Sequence, residues 1–218
     1  MTITAVIPML LKIFSIGLGA AVFYLVSDLS KEQKKKRAEE ALSQIVNFVL
    51  FIWLSKILLN LPLLLSDPLA VLAYPSGSQA FYLAIFFSAA FLFYGLESRQ
   101  IKGWPLIQTL LYILLPAIFF YEFAQLTWYD DSYVIGNLIL YALLLVLFLL
   151  LNDRVSPYAT GAVLLSMWTA GMFLISSIQS YSSIFGYGMA TWFVITLFVA
   201  GHLLILISSR RRATNEFD

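Results

Sequence analysis

Long apolar runs alternate with short polar breaks along the whole chain. A helix needs about 20 mostly apolar residues to cross the hydrocarbon core of a bilayer. Runs of that kind occupy Ile3–Ser27, Ala41–Leu65, Gln79–Leu96, Trp104–Trp128, Ser132–Asn152, Pro157–Ile175 and Ile184–Ser208. The last two are separated only by Ser176-Ser177-Ile178-Gln179-Ser180-Tyr181-Ser182-Ser183, a stretch too polar to stay in lipid. Asp67-Pro68 and Pro75-Ser76-Gly77-Ser78 are turn formers and mark Ser66–Ser78 as a loop. Pro116 lies inside the fourth run, where a bend is expected. The first run has no basic leader and no small-residue cleavage site, so it reads as a retained helix rather than a signal peptide. The pattern predicts an all-α fold: a seven-helix transmembrane bundle forming one integral membrane domain over residues 1–218.

Composition supports the same solvent. The chain is 61% hydrophobic and 11% charged, whereas globular proteins average roughly 45–50% apolar and about 25% charged. So little charge cannot wet the surface of a soluble particle of this size. Cysteine is absent, which removes disulfides, thiolate metal ligands and thiol nucleophiles. Apart from Lys12 and Lys56, every lysine and arginine lies in Asp28–Glu40, in Glu97–Gly103, at Asp153-Arg154 or in the tail Arg210-Arg211-Arg212. The intervening breaks at Ser66–Ser78, Tyr129–Asp131 and Ser176–Ser183 carry none. Positive loops stay inside, so the N-terminus is expected outside and the C-terminus in the cytoplasm.

Ionisable groups within spans are costly and therefore mark candidate sites. Lys12 lies nine residues past Ile3, and Lys56 nine residues before Leu65. At 1.5 Å per residue both would stand roughly 13 Å from the outer boundary. Glu122, six residues before Trp128, falls somewhat nearer the same face. Two readings remain open: an internal ion pair with Glu122 or snorkelling of the lysines, and a pocket in which Lys12 and Lys56 hold an anionic lipid headgroup. His202 sits seven residues before Ser209, away from that layer, and no carboxylate or second histidine shares its span. It reads as hydrogen-bonded to a neighbour. Gly17, Gly19, Gly161, Gly171 and Gly186 read as close-packing positions. Gly186-Tyr187-Gly188 is too short for a nucleotide loop, and no metal cluster, cofactor fingerprint or Ser-His-Asp set is visible.

The order of features across the second and third runs has a further meaning. Leu54-Ser55-Lys56-Ile57-Leu58, Asn60, Ser66-Asp67-Pro68-Leu69-Ala70-Val71-Leu72 and Ser76-Gly77-Ser78-Gln79-Ala80-Phe81-Tyr82 together resemble the bacterial prolipoprotein diacylglyceryl transferases. That family carries a small-Arg-Leu element, a loop with Asp-Pro-Leu, and Gly-Gly-x-x-Phe-His-Gly-Gly leading into the next helix. The similarity extends to Thr160-Gly161-Ala162-Val163 and Gly201, covering most of the chain at the level of a distant relative. The resemblance implies seven spans in a bacterial cytoplasmic membrane. It also implies transfer of diacylglyceryl from phosphatidylglycerol to a lipobox cysteine on the outer side.

The family's site residues are altered here. Its histidine falls at Tyr82 and the following glycines at Leu83-Ala84. The arginine of the small-Arg-Leu element becomes Lys56, which keeps the charge but loses the planar fork that grips phosphate. The Gly-Arg-x-Gly-Asn-Phe signature has no counterpart, since no arginine occurs between Gly103 and Asp153, and the arginine of the sixth helix is replaced at Met172-Phe173. A phosphate-leaving reaction would then lack its base and its charge stabilisers. The expectation is a non-catalytic relative that binds an anionic phospholipid such as phosphatidylglycerol, a lipoprotein precursor or another membrane protein. It involves no cofactor, metal or nucleic acid. Two alternatives stand beside it: an active transferase in which Lys56, Tyr82 and Glu122 share the work, and a small-solute transporter.

Overall fold

The computed structural model describes residues 3–67, 71, 76–97, 103–129, 132–152, 154–179 and 182–215. The expected turn residues Pro68 and Pro75, the charges at Arg99 and Lys102, and Asp130, Asp131, Asp153, Ser180 and Tyr181 lie outside them.

Eight α-helices occur among the described residues: α1 (Ile3–Val26), α2 (Lys31–Leu59), α3 (Leu61–Ser66), α4 (Ser78–Glu97), α5 (Gly103–Tyr129), α6 (Ile135–Leu151), α7 (Pro157–Gln179) and α8 (Thr191–Asn215). A single 3-10 turn, Ser132–Val134, leads into α6, and a small antiparallel ribbon of β1 (Ser183–Ile184) and β2 (Tyr187–Gly188) lies between α7 and α8. Among the described residues six helices are long and apolar enough to cross a membrane. The other apolar helix, α6, has 17 residues, at the short end of the workable range. The fold class is all-α, and the helices are those of a multi-pass membrane protein.

Three boundaries depart from the sequence expectation, each for a local reason. The charged stretch after Asp28 is helical from Lys31 onward. Ser30 caps it in a reciprocal capping box, its Oγ accepting from the Gln33 amide and its own amide donating to Gln33 Oε1, both at 3.4 Å. Lys34 Nζ then donates to the Tyr24 carbonyl at 2.8 Å, in the last turn of α1, where unpaired carbonyls favour a cation. At its other end α2 stops at Leu59 rather than running to Leu65. Pro62 has no N–H to give the Leu58 carbonyl, so Asn60 closes α2 and the proline opens α3 near its first residue, a position helices tolerate. Finally, residues 183–188 fold as a hairpin and the last long helix starts at Thr191, not Ile184. Phe185 and Gly186 have φ of 49° and 77°, the left-handed pair that a tight two-residue hairpin turn requires.

The chain divides into two compact units, Met1–Leu114 and Leu115–Asp218, with the division inside α5 beside Pro116. In the first unit α2 packs on α4. Small side chains make the approach possible: Ala41, Ser55, Ala80 and Ala84 are all buried. Around them Phe48 meets Phe81 edge-on at 5.4 Å, and Phe51 lies within ring contact of Phe87 and Phe91. In the second unit α7 packs against both α6 and α8, and the bulky core is Leu140, Tyr141, Leu144, Phe148, Leu164, Met172 and Ile175. Lipid is as apolar as leucine, so such packing rests on close van der Waals fit and interhelical hydrogen bonds rather than on escape from solvent. The leucines, isoleucines and phenylalanines left exposed on α1, α2, α4 and α8 are then surfaces for acyl chains. Helix α5 differs: 56% of its apolar window is buried, against 22% or less in the other spans.

Candidate functional site

Lys12, Lys56 and Tyr82 belong to the first unit and Glu122 to the second. Lys12 is half-buried in α1, nine residues after the helix begins. Lys56 is also half-buried, but it occupies the last turn of α2, three residues before Leu59. The earlier end of α2 thus changes its count: it stands close to a helix terminus while Lys12 stands in mid-helix. Its backbone carbonyl accepts Asn60 Nδ2 at 2.8 Å, which ties the Asn60 cap to the turn that carries the ammonium group. Tyr82 is half-buried in the second turn of α4, on the helix that packs against α2, and follows the buried Phe81.

Where the resemblance implies an arginine in the sixth span, Met172 is 1% exposed within the apolar core of the second unit. Its neighbour Gly171 faces Leu140 so closely that an added Cβ would overlap that side chain. No guanidinium could enter there without separating α6 from α7.

Glu122, on α5, is also 1% exposed. It lies within electrostatic reach of two tyrosines, Tyr121 and Tyr141. Both are held: Trp168 Nε1 donates to Tyr141 Oη at 3.3 Å, and Gln125 Nε2 donates to Tyr121 Oη at 2.8 Å. Phe185 at the ribbon's tip packs edge-on to the Tyr121 ring at 5.4 Å. The second unit therefore has a buried carboxyl group with phenols around it, a setting in which aromatic hydroxyls are oriented by neighbours rather than by water.

His202 has partners on both ring nitrogens. Nδ1 lies 3.0 Å from the Phe198 carbonyl and Nε2 3.2 Å from Ser166 Oγ. A carbonyl only accepts, so Nδ1 carries a proton and donates to it; with the ring neutral, Nε2 accepts from the serine hydroxyl. This closes a polar clasp between α7 and α8. It has the serine and histidine of a nucleophile pair, but a backbone carbonyl stands where a carboxylate would orient the base.

Sequence reasoning missed a second polar group. Asn137 of α6, Ser176 and Gln179 of α7, Ser182 and the first ribbon residue Ser183 meet at one end of the second unit. Asn137 Nδ2 donates to Ser183 Oγ at 3.2 Å, and the Ser176 and Ser182 hydroxyls share a hydrogen bond of 2.9 Å. Gly136 makes room for Gln179, whose amide atoms lie 3.4 Å from where a Cβ at that position would stand. The available signal was an amide, Asn137, in an otherwise leucine-rich span, since an amide in lipid must find a partner. Among the described residues no group of three or more His, Asp or Glu side chains could hold a metal ion. Comparison of the chain with protein-family models, with curated proteins and with solved structures finds no match in any of the three.

Proposed function

We propose that this protein is a non-catalytic, multi-pass protein of the bacterial cytoplasmic membrane. It is distantly akin to the prolipoprotein diacylglyceryl transferases and holds an anionic phospholipid, phosphatidylglycerol foremost, through Lys56 and Lys12. The lipid in turn helps seat a lipoprotein precursor or another membrane protein. The observation that carries this reading is the state of the transfer positions. Tyr82 stands for the histidine, Lys56 for one arginine, and Met172, buried in apolar packing, for another. Diacylglyceryl transfer needs a base for the attacking thiol and a cationic clamp on the departing phosphate. A phenol and a single ammonium group supply neither well.

Lipid binding needs less. An ammonium in the last turn of a membrane-crossing helix stands near headgroup level and attracts phosphate as a point charge. Half-buried Lys12, deeper in its own helix, adds a positive field that zwitterionic lipids satisfy poorly. Two experiments test the proposal. Expressed in a transferase-depleted bacterium at normal levels, the protein should give no lipidation of a reporter lipoprotein; clear rescue would make it an enzyme. In native mass spectrometry, the parent should retain phosphatidylglycerol over phosphatidylethanolamine, and Lys12→Met with Lys56→Met should lose that preference. Equal retention by parent and variant would remove the lipid site.

A further inference from the structure

At the ribbon end of the Leu115–Asp218 unit, neutral oxygen atoms collect without enough donors. Asn137 is 3% exposed, and its Oδ1 is buried without a hydrogen-bond donor among the described residues. The same holds for Oε1 of Gln179, the last residue of α7. Ser182 and Ser183, 2% and 5% exposed, bring further oxygens to the cluster, Ser183 through its bond to Asn137 and Ser182 through its bond to Ser176. Buried acceptors are paired in nearly all proteins, and an unpaired one is costly. The helices that build this cluster offer no cation of their own, because residues 132–152 and 155–209 contain neither lysine nor arginine.

The backbone adds a favourable field. Helix α7 ends at Gln179, and a helix C-terminus presents the negative end of the macrodipole. Every contributing oxygen is an amide, hydroxyl or carbonyl; residues 132–152 and 155–209 have no carboxylate. Hard neutral oxygens without a formal negative charge suit a monovalent ion better than calcium or magnesium, which draw on carboxylates. Helix C-termini and carbonyls at membrane depth are suited to an ion that has shed its water.

We propose that Asn137 Oδ1, Gln179 Oε1 and the hydroxyls of Ser182 and Ser183, with carbonyls of the α7 C-terminus, form a site for a dehydrated alkali cation, Na⁺ or K⁺. Bound there, the ion joins the start of α6, the end of α7 and the base of the ribbon, and so stabilises the second unit. The site shares no residue with the proposed lipid lysines, which belong to the other unit, so its test and theirs fail independently.

The test uses the full chain in detergent, melted by tryptophan fluorescence in NaCl, KCl or choline chloride at constant ionic strength. One alkali salt should raise the melting temperature saturably by about 5 °C or more over choline. Asn137→Leu and Gln179→Met should abolish that rise, while Ser55→Ala in the other unit should retain it. If the first two variants fail to fold, ²³Na relaxation on the parent, with K⁺ as competitor, reads the same site. Identical melting in all three salts together with unperturbed ²³Na relaxation would mean that the cluster holds water alone and would overturn the proposal. A cation effect persisting in both folded variants would overturn its location.

Discussion

Single side chains in this protein are constrained most where helices come closest. Gly171 and Gly201 both sit in helices that pack on neighbours, yet they face different obstacles. A Cβ at Gly171 would overlap Leu140 at both methyls and crowd its Cγ, whereas at Gly201 the close atom is one methyl of Leu165. A whole leucine must move in the first case, and a rotamer change suffices in the second. Gly171→Ala should therefore destabilise by about 1–3 kcal/mol, the usual cost of overpacking, and Gly201→Ala by clearly less. Unfolding in mixed micelles checks this, with Leu140→Ala expected to recover part of the Gly171→Ala loss; equal effects at the two glycines would refute it. The close-packing role read from the sequence holds at Gly171 but not at Gly17, which has open space where a side chain would go. Glycine content alone does not say which glycine meets a neighbour. Gly186 has a different role again: its φ of 77° is the left-handed region, and Tyr121 Oη lies 2.9 Å from where a Cβ would be.

Among the elements, the ribbon shows best how a short segment can escape a hydropathy reading. Ile184, Phe185, Tyr187 and Met189 look like the start of a span, and hydropathy alone predicts one helix over residues 184–208. The left-handed pair Phe185-Gly186 turns the chain instead, and the Met189 amide donates to the Ser182 carbonyl at 2.8 Å to close the ribbon's base. Tyr187, on β2, is buried enough that its phenol is pushed above its ordinary value by desolvation. The folded state then keeps the proton that the unfolded chain gives up near pH 10. Stability from Tyr187 is complete below that pH and falls as pH rises from there through the higher folded value. Melting the parent and Tyr187→Phe between pH 8 and roughly 11.5 should show a steeper alkaline loss in the parent. Parallel curves, or a Tyr187 tyrosinate absorbance appearing at the ordinary value, would contradict the burial.

For the molecule as a whole, orientation rests on charge distribution. The positive-inside rule predicts a cytoplasmic location for the basic groups of α2's first turns and, separately, for the tail of α8, and an outside location for the uncharged connection at Ser76. The chain has no cysteine, so single introduced thiols report without background. With impermeant maleimide on intact cells, Ser76→Cys and Tyr129→Cys should label, while Gln33→Cys and Arg154→Cys should label only after lysis. The reverse pattern would invert the protein and place the proposed lipid lysines with the inner leaflet. Ser182 is unsuited to this experiment despite lying in a polar connection, because it is buried at the ribbon's base.

The number and rough extent of the apolar helices were legible in the sequence because lipid imposes a one-dimensional rule. Each crossing segment must be apolar along its length and must satisfy its own backbone hydrogen bonds, and both are local properties. The capping of α2 by Ser30 and its stop before Pro62 are local too, encoded in the Ser-x-x-Gln spacing and in the proline's missing N–H. What only the tertiary structure decided is which polar groups meet. Ser166 joins His202 across 36 residues, and Asn137 joins Ser183 across 46. Such pairs depend on how each helix is rotated about its axis and on which neighbour it packs against. Rotation is set by the fit of residues such as Gly171 against Leu140, and hydropathy, which averages over the whole circumference of a helix, carries no record of it.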